Sequence, residues 1–245
     1  MQKEIKSIIR QIADLLMVNG SFLINPGLFS GDMGVVLFFT RYARYTQNEL
    51  YLDYSYDLIG KIQKRINRES PINYKNGLAG IGATIEYLVQ HRFIEADTDN
   101  ILIDFDQRIL YTYNLSYFSI DKMMDVAYYT AWRLTGNSRR KEMIRKIILP
   151  QITKGIGEKW KKWMNEWGER QIQFNRTSIP VCFGEKTYDY CMELISHNNF
   201  WNKDLGILNG IAGWGMSLLT ELDGNDSWYL LFPNDFILFN ENISS

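Results

Sequence analysis

One short element recurs along the chain and restricts what the chain can fold into. It has the form Ser/Asn-Gly-x-x-Gly followed by apolar residues. The first copy is Ser30-Gly31-Asp32-Met33-Gly34, running into Val35-Val36-Leu37-Phe38. The second is Asn76-Gly77-Leu78-Ala79-Gly80, running into Ile81-Gly82-Ala83. The third is Asn209-Gly210-Ile211-Ala212-Gly213, running into Trp214-Gly215-Met216-Ser217-Leu218. Gly31 and Gly77 lie 46 residues apart (77 − 31), and Gly77 and Gly210 lie 133 apart (210 − 77), about three steps of 44. A period of this size marks a repeat architecture. It suits one helix, a turn, a second helix and a return loop.

Ser or Asn is a good N-cap, so each copy is expected to start a helix. Glycines at i and i+3 share one face of the first turn and let another backbone or a ligand come close. Each costs a helix up to about 1 kcal/mol relative to Ala. Three copies carrying that cost predict helix starts crowded around a common axis. The glycines then either relieve crowding alone or clear a rim of free amides that favours anionic or carbonyl groups. Asp32, Asn76, Asp125 and Asn209 are the rim candidates.

Periodicity elsewhere is helical. Ile5, Ile8, Ile9, Ile12, Leu15 and Leu16 predict an amphipathic helix over 2–18. Similar spacing predicts helices near 50–67 and 98–114, and another around Met143–Ile148 that Pro150 should stop. No Asn-Gly turn joins two alternating runs, so hairpins of strands are not expected. Intervening copies of the repeat are expected near 123 and 167. Asp121–Leu134 is helix-like and ends at Gly136 without the glycine pair, and Trp167-Gly168-Glu169-Arg170 does not match. The chain reads as about five hairpins, the third and fourth eroded.

Composition narrows the function classes. Twenty-seven basic residues against 28 acidic ones give no electrostatic case for nucleic acid or an anionic membrane. Two cysteines and two histidines exclude a metal cluster with many Cys and His ligands and a disulfide-stapled scaffold. The N-terminus lacks the apolar run of a secretory signal, because Gln11 and Asp14 interrupt it, and no stretch reaches membrane-helix length. A cytoplasmic chain of one domain, 1–245, is expected.

Segments 27–39, 75–89 and 205–219 resemble the glycine motifs of the lanthionine synthetase C-like family, and Gly206–Gly213 resembles the family's last motif most closely. The resemblance implies helical hairpins closed into a double-layered α/α barrel, with the glycine motifs starting the inner helices. Active members of that family bind zinc through a Cys followed by Gly and a Cys-His-Gly about one repeat later. Here only Val181-Cys182-Phe183-Gly184 is similar, with Phe183 where the histidine would stand, and no second cysteine lies one repeat earlier. Members usually carry seven hairpins, so the barrel here is expected to be smaller, open or completed by a partner.

Chemistry-bearing residues are few. Cys182, Cys191 and His197 could supply three zinc ligands, but their spacing of nine and six residues fits no common site, and Cys191 falls on an apolar helix face. His91 follows Tyr87 and Leu88 at a helix end, where a partly charged imidazole is favoured. Asp32, Asp125, Glu185 and Asp189 sit near predicted inner-helix starts and could pair for glycan chemistry. First-turn carboxylates are ordinarily helix-stabilising and ionised, which is wrong for a general acid. Trp160, Trp163 and Trp167 share one helix face. With Trp201, Trp214 and the tyrosines at 42, 45, 51, 54 and 56 they read as core, or as a stacking platform. Lys154, Lys159, Lys161 and Lys162 read as a solvated face.

The expected fold is therefore an all-α, α/α toroid of helical hairpins, whole or incomplete. The expected function is a lanthionine synthetase C-like protein without zinc-dependent cyclase activity, binding a peptide or serving as a scaffold in peptide modification. No cofactor or metal is expected, and a peptide or protein is the expected partner. The alternative is a carbohydrate-active α/α-barrel enzyme with paired carboxylates; the residues leave catalysis open.

Overall fold

The computed structural model describes residues 2–110, 119–174, 189, 191–193, 203–208 and 210–232. Among the described residues the protein is all-α, with no strand. The helices are α1 (Gln2–Asn19), α2 (Asp32–Thr46), α3 (Glu49–Arg65), α4 (Leu78–Gln90), α5 (Thr98–Ile101), α6 (Ile103–Ile109), α7 (Ile120–Thr135), α8 (Lys141–Met143), α9 (Leu149–Phe174) and α10 (Ile211–Asp223). A 3-10 turn, Ser227–Leu231, follows α10.

Two kinds of helix alternate at the start of the chain. α1 and α3 are amphipathic and bury one stripe: Ile5, Ile8, Ile9, Ile12, Leu15 and Leu16 in α1, and Ser55, Leu58 and Ile62 in α3. α2, α4 and α10 are buried on every side over most of their length and mostly apolar, which is the pattern of inner helices. α10 packs on α2, α2 on α4, α4 on α7 and α7 on α9, while α1 lies against α10, and α3 against α2. The inner helices thus follow one another in an arc. Small residues let them approach: a Cβ on Gly82 would meet the Tyr129 ring, and one on Gly215 would meet Phe38.

The space inside the arc is filled. After Gly224 ends α10 in the left-handed conformation (φ 67°), the chain turns back and the Ser227–Leu231 turn packs against α4 and α9. Tyr87, near the end of α4, shares a hydrogen bond of 2.9 Å with Ser227 Oγ. Tyr74, just before α4, donates its hydroxyl to Leu231 O at 2.9 Å. The turn therefore runs along α4 from one end towards the other. Trp228 is fully buried and donates to Thr220 of α10 at 3.0 Å, and Phe232 meets Phe29 at 5.3 Å. One segment thus packs against α4, α9, α10 and the loop before α2.

Two helix predictions change. The 98–114 helix is broken at Leu102 into α5, whose start the Asp97 side chain caps through Asp99 N and Asn100 N, and α6, whose start has no side-chain cap. Pro150 does not stop its helix. Residues Ile144–Ile148 form a π-helical stretch that runs directly into α9, and Pro150 is the second residue of α9, next to that wider turn. α9 then runs through 167, where the repeat spacing calls for a fourth glycine element, with a non-helical Gly157 (φ 37°) inside it. The intervening copy expected near 123 matches its prediction: α7 has a Ser119 N-cap accepting from Lys122 N, and ends at Gly136.

Candidate functional site

The three glycine elements build three congruent loops. In each, the first two amides of the inner helix donate to carbonyls seven residues back. Asp32 N bonds Asn25 O (2.9 Å) and Met33 N bonds Pro26 O (3.3 Å). Leu78 N bonds Pro71 O (2.9 Å) and Ala79 N bonds Ile72 O (3.1 Å). Ile211 N bonds Asp204 O (2.8 Å) and Ala212 N bonds Leu205 O (3.3 Å). To do this the loop folds back over the first turn of its own helix. A Cβ on Gly31 or Gly77 would overlap Asn25 O or Pro71 O, six residues back. One on Gly80 or Gly213 would overlap Tyr74 O or Ile207 O, again six residues back. The glycines exist because backbone, not ligand, lies against them. The first two amides of α2, α4 and α10 are already bonded, so these six are not free donors for a ligand.

The loops are also stitched to one another in arc order. Ile207 N and Leu208 N donate to Phe29 O (2.9 and 3.1 Å). Phe29 N donates to Lys75 O (2.9 Å), and Ser30 N donates to the Asn76 side-chain oxygen (3.1 Å). Tyr74 N then donates to Asp125 Oδ1 of α7 at 2.9 Å. The third repeat has lost its glycine loop, and a carboxylate stands where the next loop's carbonyl would be.

Asp125 is half-buried. Burial, with the Asp121 charge adding to it, pushes its carboxyl up to about 6 against the Tyr74 N–H and Lys75. A raised pKa means the folded state holds the proton more tightly than the unfolded one. The group's contribution is therefore full below its ordinary pKa of 3.8 and is lost as pH rises through about 6. Asp125→Asn keeps an acceptor for Tyr74 N and removes the charge. It is expected to flatten that pH-dependent loss and to leave stability at pH 7 unchanged or raised. Asp125→Ala orphans Tyr74 N and should cost about 1–3 kcal/mol. Urea melts of the three proteins between pH 4 and pH 8 check both statements.

The other candidates fall apart from one another. Asp32 is fully buried beneath α3, paired with Arg65 Nη1 at 2.7 Å and Lys61 Nζ at 3.5 Å. Burial raises its pKa, opposed by Lys61 and Arg65. Asn76 lines an open cleft of about 550 Å³ with Ile24, Asn25, Pro26, Arg65, Ser70 and Pro71. Asn209, Cys182, Glu185, His197 and Trp201 lie outside the described residues, as do the side chains of Lys159 and Trp167. Asp189 is exposed, and Cys191 is buried with its thiol pushed up to about 12 by burial. Among the described residues no three of His, Cys, Asp or Glu are placed to share a metal ion. The described donors therefore do not fit a catalytic zinc.

His91 departs from its prediction. Burial, and then the Arg44 charge, push its pKa down to about 4, so the imidazole is neutral despite its place at a helix C-terminus. It lies 4.5 Å from the Tyr87 ring. Trp160 and Trp163 are core, stacked at 5.4 Å, with Trp163 against Tyr128. Trp214, Tyr42, Tyr51 and Tyr54 also face the interior, while Tyr56 is exposed. Lys161 and Lys162 are solvated and pair with Glu158 and Glu166.

The largest polar feature has no counterpart among the sequence expectations. Arg133, fully buried on α7, uses all five of its guanidinium N–H groups. Nη2 reaches Asp99 Oδ1 (2.6 Å) and Asp106 Oδ2 (2.8 Å); Nε reaches Asp106 Oδ1 (3.1 Å); Nη1 reaches Glu86 and Thr98. Tyr129 and Ser138 donate to Asp106 and Asp99 at 2.7 Å each, and Arg139 and Arg140 bond the same two carboxylates. Three arginines thus balance three carboxylates. Its signal is present in the sequence: Met123, Val126, Thr130 and Arg133 share one face of α7, which puts a charge on an apolar stripe.

Residues 2–100, about two-fifths of the chain, match the model of the family described as lanthionine synthetase C-like protein. That stretch contains the first two glycine loops and the helices α1 to α4 that they organise, so the similarity to the family lies in this part of the chain. No curated protein sequence and no solved structure matches the chain.

Proposed function

We propose that this lanthionine synthetase C-like chain is not a zinc-dependent cyclase. It binds a peptide, or serves as a scaffold for peptide modification, in the cytoplasm, and does not act on nucleic acid. The observation that carries the reading is the filled centre. The space where inner-helix starts would enclose a reacting substrate holds Trp228, Leu230, Leu231 and Phe232, all buried. Around it the loop amides are spent on their own carbonyls, and the Cys191 thiol is buried and protonated. Among the described residues no helix is long and apolar enough to cross a membrane, which fits a chain working away from one.

The carbohydrate-active alternative needs a funnel with two carboxylates about 5–10 Å apart over an aromatic platform. The central plug, the inward tryptophans and the separate engagements of Asp32 and Asp125 all speak against it. Metal analysis tests the main reading. Protein purified with zinc present is expected to hold it substoichiometrically and equally in wild type and Cys182→Ala. One zinc per chain that disappears in Cys182→Ala would contradict the proposal.

A further inference from the structure

We infer that the cleft between the first two glycine loops is a binding site for the carboxylate of an apolar peptide segment. The inference rests on the peptide-binding reading above and assigns it a place and a chemistry. The cleft is lined by Ile24, Asn25, Pro26, Arg65, Ser70, Pro71 and Asn76. Its acceptors are consumed internally. Asn25 Oδ1 takes Gly27 N (2.8 Å), Asn76 Oδ1 takes Ser30 N (3.1 Å), and Ser70 Oγ takes Asn67 N (3.0 Å). The carbonyls of Asn25, Pro26 and Pro71 take the first-turn amides of α2 and α4, and that of Ser70 takes Arg108.

Each side-chain oxygen is fixed as the acceptor because a backbone N–H can only donate. Each of these oxygens already has a protein donor, whereas the Nδ2 groups of Asn25 and Asn76, the Ser70 hydroxyl hydrogen and one edge of Arg65 are donors turned to no protein acceptor in the hydrogen bonds above. Arg65 gives only Nη1 to the protein, to Leu23 O and Asp32, so Nε and Nη2 can engage a carboxylate as a fork. Among the described residues no carboxylate lines the cleft. Lys61 and Arg65 together outweigh the buried Asp32 by one positive charge. The walls are apolar. Ile24 is 90% exposed, with exposed Phe22 two residues before it, and Pro26 and Pro71 lie among the lining residues. A floor rich in unpaired donors, with a net positive charge and apolar sides, selects an acceptor-rich anionic group attached to an apolar chain.

N-acetyl-Phe-Leu as the free acid and as the C-terminal amide are the probes. They are titrated into ¹⁵N-labelled full-length protein up to roughly 10 mM, a range that detects millimolar binding. The acid is expected to shift the side-chain amide signals of Asn25 and Asn76 and to bind at least about tenfold more tightly than the amide. Arg65→Gln should abolish that preference. Because Arg65 also supports Asp32, Ile24→Glu is the second variant. It changes a side chain in water, removing an apolar wall that both probes touch and adding a negative charge, and should weaken the acid at least about tenfold more than the amide. Equal binding of acid and amide, or a preference untouched by Ile24→Glu, overturns the carboxylate assignment and leaves the peptide-binding reading standing. Binding of neither at this range overturns the site itself. A zinc stoichiometry that depends on Cys182 would instead remove the reading beneath it.

Discussion

Arg133→Met is expected to destroy the fold or to cost at least about 3–5 kcal/mol, because removing one partner of a buried ion pair strands the others. Here one substitution would leave Glu86 of α4 without its cation and take the shared guanidinium from Asp99 of α5 and Asp106 of α6, which keep only Arg139 and Arg140 at the edge of the cluster. Arg133→Lys should recover only part of the loss, since an ammonium has three donors where five are in use. The cluster also fixes an acid limit. Burial would raise Asp99, but the Arg139 N–H, the Ser138 hydroxyl and the Arg133 and Arg139 guanidinium groups hold it well below its ordinary 3.8. A lowered carboxylate pKa contributes stability that is present above that ordinary value and lost as pH falls below it. The wild type is therefore expected to lose stability below about pH 4. Urea melts give the stability values. An Arg133→Met protein within about 1 kcal/mol of wild type would show the cluster to be incidental.

Gly80→Ala should be nearly as damaging, whereas Gly60→Ala should stabilise. The Gly80 Cβ would overlap the carbonyl of Tyr74, a backbone group pinned through Tyr74 N to Asp125 and through the Tyr74 hydroxyl to Leu231. It cannot move without undoing both the loop stitching and the plug, so the expected cost is about 3 kcal/mol or more. Gly60 lies inside α3, and a Cβ added there would meet nothing within 4 Å. Ala at that position should therefore gain up to about 1 kcal/mol from helix propensity alone. Thermal melts of the two variants beside wild type separate a glycine required by close approach from one that is merely tolerated. Equal effects would mean that the repeat's glycines are not there for packing.

These two cases show how far the sequence can be read. The glycine pairs are visible because they recur in phase, and three in phase are hard to explain except by helix starts meeting around a centre. The all-α class follows from Ile5–Leu16 and its later counterparts, whose spacing admits only a helix. What the pattern cannot show is which groups crowd the glycines. The seven-back hydrogen bonds from Asp32, Leu78 and Ile211 depend on a loop folding over its own helix, and no local propensity records that. Asp125 stands out by position near an eroded repeat, but its partner, Tyr74 N, comes from a loop 51 residues earlier. The Arg133 cluster draws on residues from 86 to 140, and each carboxylate alone looks like an ordinary surface charge. The expectation for His91 fails because the helix-end effect is worth less than burial next to Arg44. The expectation for Pro150 fails because a π-helical stretch runs directly into α9 beside it.

The claim beneath all of this is that the glycine loops use up the first two amides of α2, α4 and α10 and so close these six to a ligand. Hydrogen exchange of six amides measures it: Asp32, Met33, Leu78, Ala79, Ile211 and Ala212. Free first-turn amides exchange at rates near those of an open chain. If the loops hold them as described, all six exchange slowly, with protection approaching that of core amides such as Phe38 and Tyr87. Rapid exchange at the three helix starts, with the cores of α2, α4 and α10 still protected, would contradict the account.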